Sequence, residues 1–153
     1  GDKEVDNGQF DEIKETFYPH GACMMIRKSV LQEIGLLYEG YFLYYEEYDF
    51  AERVRQAGYK IYYQPNSCIL HKESISTGKN SPLKTYYLNR NRVLFLRRNW
   101  HGITFLLAMI FFIMVSLPKN TIKYLFNKAH LSALYRGVFW NISNFNINKN
   151  QQL

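Results

Sequence analysis

Apolar and polar positions change rhythm several times along the chain, and each change marks an element. A short apolar run at 22–26, "ACMMI", is too brief for a helix and predicts a strand. In "SVLQEIG", Ser29 and Gln32 have capping-box spacing and Gly35 suits the residue after a helix, so a short helix is expected over 30–34. An aromatic loop follows, "LLYEGYFLYY", with Gly40 as its turn. Phe50, Val54 and Ala57 then recur at helical spacing until Gly58, predicting one amphipathic helix over 46–57. "YKIYYQP" alternates up to Pro65, and "SCIL" is apolar up to His71, so two strands or extended segments are expected. Residues 1–15 are polar and read as a loop, while the turn formers of "KESISTGKNSP" mark a boundary. Beyond it, "LKTYYLNRNRVLFLRRNW" predicts a basic helix, "ITFLLAMIFFIMVSL" (103–117) an uncharged apolar segment, and "TIKYLFNKAHLSALYRGVFW" an interfacial helix. The Asn-rich end reads as disordered.

Charge divides the chain along the same lines. Residues 1–75 hold all 13 acidic side chains and 8 basic ones, and the remainder holds 11 basic and no acidic side chain. Three parts are therefore expected: 1–75, 76–143 and a tail, 144–153. A basic excess fits nucleic acid or an anionic membrane surface. The uncharged run, flanked by Arg90, Arg92, Arg97 and Arg98 before it and Lys119 and Lys123 after it, favours the membrane, with the arginines as phospholipid contacts and no nucleic acid partner. As a helix, 103–117 extends about 22 Å at ~1.5 Å per residue, short of the ~30 Å hydrocarbon core, and Pro118 ends it. A span, a re-entrant or interfacial segment and a buried core helix all stay open. Cys23 and Cys68 lie in apolar contexts without metal-ligand spacing and are expected as buried thiols. The polar opening, "GDKEVDNGQFDE", has neither an initiator Met nor a signal peptide and reads as that of a fragment or processed piece.

The candidate chemistry centres on Glu46, Glu47 and Asp49. Carboxylates in a first helical turn meet the positive end of its dipole, at about 0.3–1 kcal/mol each, and Asp49 and Arg53 are spaced for an i, i+4 ion pair. That is one reading; the other is that the acids do chemistry. His71 is either a hydrogen-bonded structural residue or a metal ligand. Tyr41, Phe42, Tyr44 and Tyr45 are core or pocket wall, or a stacking surface for a sugar.

The ordered set "GACMMIRKSVLQEIG", "YFLYYEEYDFAER", "AGYKIYYQP" and "CILH" resembles the carboxyl half of an inverting, rhamnosyltransferase-like family 2 glycosyltransferase over about 50 continuous residues. The resemblance implies an α/β fold: a partial GT-A (Rossmann-like) acceptor-side half, followed by membrane-associated helices. It implies that Glu47, standing where the family has Asp, is the base that takes the proton of the acceptor hydroxyl. Glu46 and Asp49 would flank it, shaping the acceptor pocket and holding the start of the helix, and His71 would help ligate a divalent metal, Mg or Mn. Family members bind the nucleotide sugar through an upstream half carrying Asp-x-Asp. Metal and donor are thus expected only with that half, supplied in the same chain or as a separate donor-binding partner. The implied activity is inverting transfer from a nucleotide sugar to a glycan or lipid-linked acceptor, in polysaccharide biosynthesis, at the cytoplasmic face of a membrane. The alternative is a noncatalytic, membrane-anchored remnant or interaction subunit.

Overall fold

The computed structural model describes residues 4–71, 78 and 80–146. Of the boundary expected over 72–82, residues 72–77 and 79 lie outside the described residues, as does the tail from 147 onward.

A small apolar core forms first. Lys28–Ile34 is helical (α1), as is Glu46–Gln56 (α2), and Val30 and Ile34 of one meet Phe50 and Val54 of the other. Met24, Ile26, Leu31, Leu37, Tyr59 and Ile61 close around them. α2 starts and stops where the periodicity places it. α1 begins earlier than its cap pattern predicts: Arg27 is the N-cap and makes no side-chain cap bond, so Ser29 and Gln32 lie inside the helix rather than forming a capping box. Gly35 does end α1, at φ 80°, with its N–H donating to the Leu31 carbonyl at 3.0 Å.

Sheet is scarce among the described residues. Lys14–Glu15 (β1) pairs antiparallel with Tyr62–Tyr63 (β2), in the register Lys14 to Tyr63 and Glu15 to Tyr62. The strand expected at 22–26 does not form. Met24 and Ile26 are half-buried while Met25 and Arg27 are exposed, which is strand periodicity, but no neighbouring strand among the described residues offers a ladder. Residues 68–71 are likewise exposed and irregular. Both Cys23 and Cys68 are exposed, correcting the expectation of buried thiols; each belongs to one of these unpaired stretches.

The basic part folds back onto the acidic part. Pro82–Asn99 is one helix (α3), with Pro82 in its first turn and Ser81 Oγ accepting from the Lys84 N–H at 3.2 Å. It packs on α2 and, over most of its length, on Lys128–Ser143 (α6). The divide in charge near residue 75 is therefore not a divide in packing. Asn141 and Ser143, part of the Asn-rich end, are helical, and Asn141 is buried.

Between α3 and α6 runs the apolar segment: Gly102–Phe111 (α4), a π turn over Phe112–Ser116, and Leu117–Tyr124 (α5). Pro118 does not end it. A proline inside a helix lacks an N–H and crowds the carbonyl four residues back; here the preceding turn is widened, Leu117 N–H donating to Phe112 O, and the helix continues. The result is one helix, 102–124, of 23 residues, long and apolar enough to cross a membrane. Its length is roughly 34 Å at ~1.5 Å per residue, more than the ~30 Å hydrocarbon core.

Candidate active site

Three aromatic residues ahead of α2 adopt left-handed backbone conformations: Phe42 (φ 60°), Tyr44 (φ 64°) and Tyr45 (φ 76°). Side chains of this size rarely do so, and such strain persists only where the surroundings impose it. Around Phe42 the chain makes a γ-turn of the uncommon positive-φ kind, Leu43 N–H donating to Tyr41 O at 2.7 Å. Asn91 of α3 imposes the shape. Its side-chain amide, fully buried, donates to the carbonyls of Tyr41 (3.0 Å), Leu43 (2.6 Å) and Tyr44 (2.9 Å). Arg90, one residue earlier, donates to Gly40 O.

The strained loop delivers three carboxylates to three different environments. Asp49 is turned inward and completely buried. Its Oδ1 accepts from Tyr41 OH (2.9 Å), Arg98 Nε (3.1 Å) and Asn99 Nδ2 (2.8 Å), and its Oδ2 from Arg53 Nε (3.0 Å). The expected Asp49–Arg53 pair is present. Arg53 also donates to Ile34 O and Leu36 O, tying the end of α1 to α2. Of the two roles the resemblance gave Asp49, the geometry matches the holding of the helix start. A carboxylate enclosed by four donors is not exposed to an acceptor. It leaves Tyr41 as core, its phenol kept protonated first by burial and then by the Asp49 charge.

Glu46 is half-buried, and its Oε2 is buried without a hydrogen bond among the described residues. Burial pushes its carboxyl above the usual range; its own backbone N–H opposes this, and the neighbouring Glu47 charge adds to it.

Glu47 faces a different way. A methyl group placed on Gly21 would lie 3.6 Å from its Cδ and Oε1, so the carboxylate sits over a bare stretch of backbone. Next to Gly21, His20 holds its ring edge-on to that of His71, centroids 5.5 Å apart, and accepts the Ala22 N–H at Nδ1. Gly21 and His20 thereby join Glu47 and His71 into one corner. On the other side, Tyr18 stacks on Tyr48 at 4.4 Å, and that hydrogen-bonded pair, followed by burial, raises the Tyr48 phenol, with Glu47 adding to the shift. Tyr45 and Phe95 extend this wall.

Among the described residues, no three His, Cys, Asp or Glu side chains converge as a metal site. His71 and Glu47 would contribute two donors, fewer than the six ligands that an Mg ion takes.

Sequence reasoning missed His20 and the α3 residues. Asn91, Arg98 and Asn99 lie at i, i+7 and i+8, one helical face, and polar residues repeating on a face that also carries buried Leu94 signal a buried polar anchor. The expectation that the arginines contact phospholipid is corrected for three of them. Arg90 lies over the Trp140 ring at 4.0 Å, Arg97 donates to carbonyls of Asn141, Asn144 and Phe145, and Arg98 pairs with Asp49. Charges drawn into a fold this way need internal acceptors, and the loop carbonyls and Asp49 supply them.

The chain contains a glycosyltransferase-like region. Over 88 residues it is 35% identical to the low-salt glycan biosynthesis hexosyltransferase Agl10 of Haloferax volcanii, an overlap of 57% of this chain and 29% of that protein. Over 82 residues it is 30% identical to an N-acetylglucosaminyl-diphospho-decaprenol L-rhamnosyltransferase of Mycobacterium tuberculosis, covering 54% of this chain and 27% of the relative. The chain thus spans less than a third of the length of these relatives. No family model and no solved structure matches.

Proposed function

We propose that this chain is the acceptor-side part of an inverting, nucleotide-sugar-dependent glycosyltransferase of family 2, with a partial GT-A fold, and that Glu47 is its general base. The carrying observation is the setting of Glu47: half-buried over Gly21, beside a strained loop and a histidine pair, while its neighbour Asp49 is consumed by structure. In the reaction, a Glu47 carboxylate oxygen takes the proton of an acceptor hydroxyl as that oxygen attacks the anomeric carbon of the donor. The bond from that carbon to the nucleotide diphosphate breaks, and the diphosphate leaves with the electron pair. The acceptor is a glycan or a lipid-linked sugar, against the wall of Tyr18 and Tyr48. The membrane-associated helices hold the site at a cytoplasmic membrane face.

The donor, and the divalent metal that accompanies its diphosphate, belong in this reading to a separate or preceding half. Two features support a missing partner on this side of the fold. Residues 24–27 keep strand periodicity with no strand beside them among the described residues, and they border a cleft of about 440 Å³ lined by Met25, Val30, Phe50, Val54 and Ile61.

The test supplies a donor-binding half, in the same chain or in trans, and measures transfer from a panel of nucleotide sugars. Glu47→Gln is expected to lower the rate by about 10²- to 10⁴-fold with the fold intact by circular dichroism. Undiminished transfer removes Glu47 as the base, and an inactive completed wild type favours a noncatalytic subunit.

A further inference from the structure

The helix over 102–124 has the length and composition of a membrane span, yet α3 runs back along it. The chain reverses at Trp100 and His101. Arg92 then lies over the Phe112 ring at 5.7 Å, and Asn120 Nδ2 donates to Asn89 Oδ1 at 3.3 Å. Residue numbers fall along α3 as they rise along the apolar helix. Its two buried residues, Phe112 and Ser116, lie near its midpoint and not at an end. A perpendicular placement would carry the Arg92 guanidinium toward the bilayer centre, where an arginine is most costly.

Arg92 also differs from the other arginines of α3. Those three donate to carbonyls or to Asp49, whereas Arg92 lies over the Phe112 ring and makes no hydrogen bond among the described residues. It is half-buried and lacks a counter-ion there. The outward surface of the apolar helix and the turn after it exposes Ile103, Met114, Ile122 and Phe126, interspersed with exposed Lys119 and Lys123. No acidic residue follows Glu73.

We propose that 102–124 lies within the membrane–water boundary without crossing it, with α3 on its aqueous side, and that Arg92 binds the phosphates of anionic lipid headgroups. An apolar surface interspersed with lysines suits this position, and the phosphate layer provides the acceptors that Arg92 lacks. The inference rests on the membrane association proposed above and not on the transfer chemistry, so it is tested without a sugar donor.

The full chain, with Cys23→Ser and Cys68→Ser, is synthesised in the presence of inverted bacterial membrane vesicles, carrying either Thr104→Cys or Lys123→Cys. A membrane-impermeant maleimide is expected to label both positions from the outer face of the vesicles. Protection of one position until detergent is added overturns the boundary placement. Flotation with equal-part phosphatidylglycerol and phosphatidylcholine vesicles reads the second part. Arg92→Gln is expected to reduce binding about fivefold, Arg92→Lys to retain it, and neither to alter binding to pure phosphatidylcholine. Equal binding by Arg92→Gln overturns the headgroup contact.

Discussion

Among the individual residues, Asp49 is the one on which the local structure depends. Replacing it with Ala would remove the acceptor that Arg53, Arg98, Asn99 and Tyr41 share, leaving two cations with side chains only 16% and 10% exposed and without their carboxylate. Removing one partner of a buried ionic cluster typically costs about 3–5 kcal/mol, and Asp49→Ala is expected to fall in that range in urea unfolding. Glu46 is expected to behave in the opposite sense. Its folded-state carboxyl titrates above its unfolded value, so the native state binds the proton more tightly. Stability from this group is then greatest at acid pH and declines as pH rises through the ordinary carboxylate range to the raised value. Glu46→Gln removes that decline. Thermal melts across the interval should show a flatter profile and a higher midpoint at its upper end than wild type.

At the level of elements, α3 organises the molecule, and its contact with α6 depends on Gly137. A Cβ there would meet the Tyr86 carbonyl oxygen at 2.6 Å and the Arg90 nitrogen at 3.1 Å, both backbone atoms that cannot swing aside. Gly137→Ala gains about 1 kcal/mol of helix propensity, but overpacking against backbone costs about 1–3 kcal/mol and separates the two helices. A lower melting temperature is expected, with Arg90 loosened from Trp140 and seen as a change in tryptophan fluorescence. Little of this was visible in the sequence. The helical repeat of Phe50 and Val54, the stop at Gly58 and the Asp49–Arg53 spacing were legible because each is set by residues within a few positions. The inward turn of Arg90, Arg97 and Arg98 was not, since it depends on acceptors roughly 40 to 50 positions away. The unpaired stretch 22–26 misled for the same reason: alternation states which side chains face in, not whether a second strand is present. Pro118 misled because a widened turn, invisible in composition, absorbs it. Of the candidate site, the acids are marked by their place at a helix start and His71 by the end of an apolar run, whereas His20 gave no local sign of its place beside His71.

At the scale of the whole molecule, the acidic and basic parts fold together. A chain shortened to end at Asn80 would keep every acidic residue but lose α3. Asp49 would retain only Tyr41 and Arg53, and the loop over 41–45 would lose all three bonds from Asn91. Limited proteolysis is expected to cut the shortened chain within 41–45 much faster than the full one. Equal rates would mean that the loop holds its shape unaided. The three left-handed aromatics have a further consequence. Glycines at 42, 44 and 45 would adopt those backbone angles with little strain and would spare Asn91 part of its task. Keeping bulky rings there makes the loop a spring held closed by the Asn91 amide, so the position of Glu47 depends on a side chain 44 positions further along the chain.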